Sequence, residues 1–230
     1  MSVEIWWGSG SGPAWRVLLG AAVKGVPLES HLLSFSAGDT RSDWFRAINP
    51  RGKVPTIRDG DFVLNESLAI LAWLDRKHPD PPLFGRTPEE TGLVWRWALE
   101  HENHANAALG AVARPIAFGR AQYESDAVRA AIPAMHEELR RLERAVEGGR
   151  PLVGDTLSAA DLVWFCGLQF LVRAATRPAA EAFELGLLPL ADHYPSILAW
   201  VRRIEAIEGY DQTQPPHWFE SDPPSPRRLS

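Results

Sequence analysis

The stretch Trp7-Gly-Ser-Gly-Ser-Gly-Pro-Ala-Trp-Arg16 joins an apolar run, Val3 to Trp7, to a segment of helical character that Gly25 ends after Lys24. Strand, glycine-rich turn and helix in that order open two readings, a phosphate cradle or a turn that presents a hydroxyl. Gly8, Gly10 and Gly12 alternate, but a dinucleotide fingerprint needs its third glycine where Pro13 stands, and the Gly-Lys-Ser/Thr ending of a P-loop is missing. Proline suits the first turn of a helix, where its missing N–H leaves no bond unmade. The turn therefore reads as a presenter of Ser11, just outside a helix N-terminus and among glycines that let a ligand come close.

Working outward, the first third alternates strand and helix signals. A strand over Leu28 to Ser34 is followed by a polar loop, then by short strands at Val54 to Arg58 and Phe62 to Leu64 around an Asp59-Gly60-Asp61 turn, then by a helix from Glu66 to Lys77. Four prolines between His78 and Pro88 read as a linker. Beyond it every strong pattern is helical: Thr87 to Ala113, Ser125 to Glu147 with apolar positions three or four apart, and a helix opened by Ser158. There Asp161 stands three residues on as capping partner, with Leu157 and Leu162 as a hydrophobic staple. Pro195 opens a last helix, Ser196 to Ile207, and the proline-rich tail from Gly209 is expected to form no regular element, with Trp218 and Phe219 as a pair able to lie back on the helices.

The composition narrows the function. A formal net charge of -5 over 230 residues offers no basic footprint, so nucleic acid is set aside as a partner. No apolar stretch reaches membrane-spanning length and nothing at the N-terminus resembles a signal peptide. One cysteine, Cys166 in an apolar run, forms no internal disulfide and reads as a buried hydrophobe, which points to a reducing, cytoplasmic setting. His101-Glu-Asn-His104 places its histidines three apart instead of the four of the helical zinc pattern, so no metal is expected.

Two more segments bear on the ligand. In Asn49-Pro-Arg-Gly-Lys-Val-Pro55, a proline at a strand start is able to be cis and to leave the backbone of Val54 free for a peptide-like ligand. In Leu64-Asn-Glu-Ser-Leu-Ala-Ile-Leu71, Asn65 reads as an N-cap that puts Glu66 and Ser67 in the first turn, where amides and the Ser67 hydroxyl suit a carboxylate and Glu66 an ammonium. The plain alternative is a well-capped helix with an acid at its favourable end.

Together with Gly154-Asp-Thr-Leu-Ser-Ala-Ala-Asp-Leu162 and Tyr194-Pro-Ser-Ile-Leu-Ala-Trp-Val-Arg-Arg-Ile204, these segments stand in the order of the glutathione transferase family, which the chain resembles over nearly its whole length. The resemblance implies an α/β thioredoxin-like domain over residues 1–78, an all-helical domain over 87–210 that holds the electrophile, and a tail over 211–230. It implies glutathione as co-substrate and a homodimer. It also assigns roles: Val54 before a cis Pro55 pairs its backbone with the cysteinyl part, Glu66 and Ser67 grip the γ-glutamyl end, and Lys53 meets the glycyl carboxylate. Ser11 falls where serine-using classes place the thiol-activating residue. Gly12 and Ala14 depart from those classes and leave Ser9 as a rival. Trp15, His104 and Arg114 are the candidates to line the electrophile pocket. The same resemblance leaves two further readings. One is a glutathione-dependent isomerase, dehalogenase or ether-cleaving enzyme, since Trp15-Arg16-Val17 is similar to the maleylacetoacetate isomerase class. The other is a non-catalytic binding module on the same fold.

Overall fold

The computed structural model describes residues 2–215. Strand β1, Val3–Gly8, is buried along nearly its whole length and lies inside a four-stranded sheet of order β2-β1-β3-β4. Helix α1, Gly12–Val23, carries the chain back so that β2, Leu28–Leu33, pairs parallel with β1. Strands β3, Thr56–Asp59, and β4, Phe62–Asn65, form an antiparallel hairpin against the other edge of β1. Register then fixes the site: Trp6 stands opposite Thr56, and Thr56 opposite Asn65. The chain leaving β1, entering β3 and leaving β4 therefore gathers Ser11, Pro55 and Glu66 at one end of the sheet.

The stretch expected to be a polar loop is more ordered than that. A 3-10 turn at Asp39–Arg41 leads into α2, Asp43–Ile48, whose start is capped by Ser42 accepting from the Phe45 amide at 3.3 Å. Phe45 is fully buried with Trp6 and Leu33 in a small core on one face of the sheet. The signal was a serine cap followed by an acid in the first turn, in a segment too short for helical periodicity to show.

Helix α3, Ser67–Lys77, leads to the proline-rich connection, where Lys24 holds Asp75 and the carbonyl of His78. The helical part opens with α4, Pro88–Glu100, which runs through a π turn at His101–Ala105 into α5, Asn106–Ala117, four residues past the expected end at Ala113. Antiparallel α6, Ser125–Ala145, packs on α5, and α7, Ala159–Ala175, threads the middle, buried almost all round. Its capping box forms as expected: Asp161 accepts from the Ser158 amide and hydroxyl and also from Leu152 and Trp200. A short α8, Leu190–His193, precedes α9, Pro195–Glu205. The first part of the tail is regular after all, since Tyr210–Thr213 form a 3-10 turn whose Tyr210 and Thr213 are buried against α1. Trp218 and Phe219 lie outside the described residues.

Candidate active site

Ser11 is the N-cap of α1. Its Oγ accepts from the Ala14 amide at 3.3 Å, its own amide closes a turn onto the Gly8 carbonyl at 3.1 Å, and Gly10 bends the chain with φ 81°, a conformation that favours glycine. A serine hydroxyl has lone pairs and one proton, so the cap occupies an acceptor site and leaves the O–H to donate.

Across the sheet end, the Val54–Pro55 peptide is cis. The turn before it is held by buried Asn49, whose Nδ2 donates to the Lys53 carbonyl at 2.8 Å and to Thr56 Oγ1 at 3.0 Å while its Oδ1 accepts from the Arg51 amide. Sequence reasoning gave Asn49 no role, although an Asx side chain ahead of Arg-Gly is a turn signal. The β3 ladder begins at Thr56, so the backbone of half-buried Val54 stands outside it, and the Lys53 side chain is exposed. Glu66, not Asn65, is the cap residue of α3, because Asn65 stays in the ladder opposite Thr56. Glu66 takes φ 68° and ψ 109°, strained for a residue with a side chain, and its carboxylate is exposed beside the buried Ser67 that starts the helix.

Facing this edge is a cavity of about 470 Å³ between the sheet domain and α5 and α7. The β1–α1 turn from Gly8 to Gly12 forms one wall with Trp7, Trp15 and Phe35. Ala117, Phe118, Phe170 and Ala174 oppose it, and Cys166, Gln169, Arg173 and Arg177 run along the α7 side. Ser9 and Ser11 both border it, and Ser9 also borders a shallower groove beside Ser34 and Asp39. Trp15 borders it too, anchored by its indole N–H on Thr213 Oγ1 at 2.8 Å. His104 and Arg114 do not: both are exposed, and Arg114 instead donates to Asn106 at 2.9 Å. From this stretch of the chain Ala117 and Phe118 border the cavity.

Behind the cavity, buried Arg16 of α1 donates to Glu102 at 2.9 Å, and Glu102 also meets His101 Nδ1 at 3.2 Å. The His101 contact and the Arg16 charge hold the Glu102 carboxyl down to about 2. Burial pushes the Cys166 thiol up to about 12, so it is no thiolate at neutral pH. Burial and the neighbouring Arg177 lower Arg173 to about 10, which leaves it charged.

The chain is similar to known proteins over nearly its whole length. The family model described as glutathione S-transferase, N-terminal domain, matches residues 11–77, and that of the C-terminal domain matches residues 125–203. Glutathione S-transferase theta-2 of Homo sapiens is 31% identical over 230 residues, covering 94% of this chain and 86% of the relative. The chain belongs to the glutathione transferase family. Glutathione S-transferase A of Pleuronectes platessa is 28% identical, covering 94% of this chain and 92% of its own. A crystal structure of a glutathione S-transferase from the Antarctic clam Laternula elliptica superposes with TM-score 0.78 at 28% identity and 100% of both chains. Poplar glutathione transferase F1, at TM-score 0.76 and 22% identity, adds likeness of fold alone. The chain is thus an enzyme of a family whose co-substrate is glutathione, built as a mixed-sheet domain followed by a helical one. No helix among the described residues is long and apolar enough to cross a membrane.

Proposed function

We propose that this glutathione transferase holds glutathione along the sheet end and adds its thiolate to a small, largely apolar electrophile in the cavity. The observation that carries the reading is the position of Ser11, which borders the apolar cavity while its capping bond leaves the hydroxyl proton available. Val54 offers its backbone to the cysteinyl unit, Ser67 and the α3 amides take the γ-glutamyl carboxylate, Glu66 takes the ammonium and Lys53 reaches the glycyl carboxylate. The strain at Glu66 supports this assignment, since strained backbone gathers at ligand clamps. Residues 1–78 would then serve glutathione and 87–210 the electrophile.

The chemistry follows from the thiol. A free thiol titrates near 8.5 and attacks only as thiolate. A hydroxyl donor and the N-terminus of α1 stabilise the anion, and about two units of depression make thiolate the main form at neutral pH. Ser11→Ala is expected to keep glutathione bound, raise the pH midpoint of the bound thiolate's ultraviolet absorbance, and lower turnover at neutral pH about ten- to a hundredfold. If Ser9→Ala shows that behaviour and Ser11→Ala does not, the role belongs to Ser9; if neither does, the amides at the start of α1 carry it.

A cytoplasmic homodimer completes the proposal. Phe62 and Val63 on β4 and Leu93 and Leu99 on α4 are exposed apolar side chains suited to a second copy. Light scattering at micromolar concentration that returned the 25.5 kDa monomer would overturn the dimer.

A further inference from the structure

The cavity wall carries aromatic and small apolar side chains together with several polar ones, and one of the polar ones is fully buried. Gln169, on the face of α7 that borders the cavity, is fully buried, and neither its Nε2 nor its Oε1 has a hydrogen-bond partner. Other buried polar atoms without partners belong to Arg16, His101, Tyr210 and Gln214, and none of those residues borders the cavity. A primary amide carries two donors and an acceptor, and burying them unpaired is costly when a leucine or methionine would fill the same space. Cys166, one turn earlier on the same face, shows that the floor also accepts a small apolar side chain. One turn later comes Arg173, and Arg177, just past the end of α7, also borders the cavity.

We propose that Gln169 is a specificity-determining residue, its buried amide favouring electrophiles whose reactive carbon is conjugated to a carbonyl over those that carry no hydrogen-bond acceptor. This rests on the reading of the cavity as the electrophile site. In the addition, the glutathione thiolate forms the S–C bond at the β-carbon of the enone. The alkene pair shifts towards the α-carbon and the carbonyl oxygen, and the α-carbon then takes a proton from water; nothing leaves. Negative charge therefore grows on the carbonyl oxygen as the bond forms, and an amide N–H pointing there strengthens in the transition state more than in the ground state. A benzyl halide expels its charge on the departing halide and has no oxygen for the amide to hold.

The test measures kcat/KM of the full-length enzyme with glutathione against an aryl enone and a benzyl halide, for the natural protein, Gln169→Met and Gln169→Glu. Methionine matches the length and supplies no donor; a glutamic acid buried here is held neutral and keeps one O–H donor. Because each variant is its own reference, the enone-to-halide ratio is insensitive to a smaller folded fraction. The ratio is expected to fall about ten- to a hundredfold in Gln169→Met and by less in Gln169→Glu, which keeps a donor. An unchanged ratio in Gln169→Met, or equal loss on both substrates, would overturn the assignment while leaving the transferase reading intact. Failure of the natural enzyme to turn over either substrate would instead sink that reading, and this inference with it.

Discussion

On the sheet side, the groups proposed to meet glutathione are backbone or caps: the hydroxyl of N-cap Ser11, the backbone of Val54 before a cis proline, the strained Glu66 and the Ser67 that starts α3. On the helical side they are mid-helix side chains, Gln169, Phe170 and Arg173 of α7 with Ala117 and Phe118 at the end of α5. Ser11 and the helical side chains border one cavity, but the two sides depend on different things. A turn or a cap is set by a few adjacent residues, so the sheet wall keeps its shape wherever its domain docks. A side chain on a helix faces a cavity only if the phase of the whole helix and its packing put it there.

The sharpest way to test that dependence is to loosen α7 at its root. Asp161 is fully buried and takes four donors, from the Leu152 amide, the Ser158 amide and hydroxyl, and the Trp200 indole. Asp161→Ala leaves all four without a partner and is expected to cost about 3 to 5 kcal/mol in denaturant unfolding at neutral pH. A loss below about 1 kcal/mol would mean that packing alone sets α7 and that the cap is dispensable.

On the sheet wall the corresponding change is small in structure and direct in binding. Ser67→Ala removes a hydroxyl proposed to donate to a carboxylate, which should weaken glutathione about ten- to a hundredfold by calorimetry and leave the melting temperature nearly unmoved. Equal affinity would place the γ-glutamyl end elsewhere.

The same contrast explains what the sequence allowed. Pro13, the 49–55 and 64–71 segments and the Ser158–Asp161 box are local signatures, and each led to an element or a turn found near its expected place. The cap at Glu66 was misplaced by one residue because pairing of Asn65 with Thr56 is a fact about the partner strand. The α2 helix escaped because six residues are too few for a period to show, and the turn at Tyr210–Thr213 because its burial against α1 is a tertiary effect. Gln169 had no local signal at all: its burial and its place beside the β1–α1 turn arise from segments about 160 residues apart.

Where α1 of the sheet domain meets the π turn, the coupling is electrostatic and has a pH signature. Glu102 titrates near 2 against an ordinary 4.5, so its pairing with His101 and Arg16 contributes stability that is fully present above about 4.5 and is lost as pH falls towards 2. Allowing for solvent at a side chain that is about one-third exposed, the loss should be about 1 to 2 kcal/mol across that window. Glu102→Gln is expected to flatten it. A variant with the same acid slope as the natural protein would place the acid sensitivity at other carboxylates.

The smallest expected effect bears most directly on helix phase. The family resemblance put His104 and Arg114 among the candidates for the electrophile pocket; in the structure both are exposed, while Phe118 borders the cavity. His104→Ala removes an exposed ring, and Arg114→Ala removes one exposed hydrogen bond to Asn106. Each should change stability by no more than about 0.5 kcal/mol. Each should also leave kcat/KM for a halide electrophile within about twofold. Phe118→Ala, which strips an aromatic ring from the cavity edge, should raise the electrophile KM several-fold with little change in the KM for glutathione. A tenfold loss in either His104→Ala or Arg114→Ala, with Phe118→Ala silent, would show that the helical wall presents its other face to the substrate.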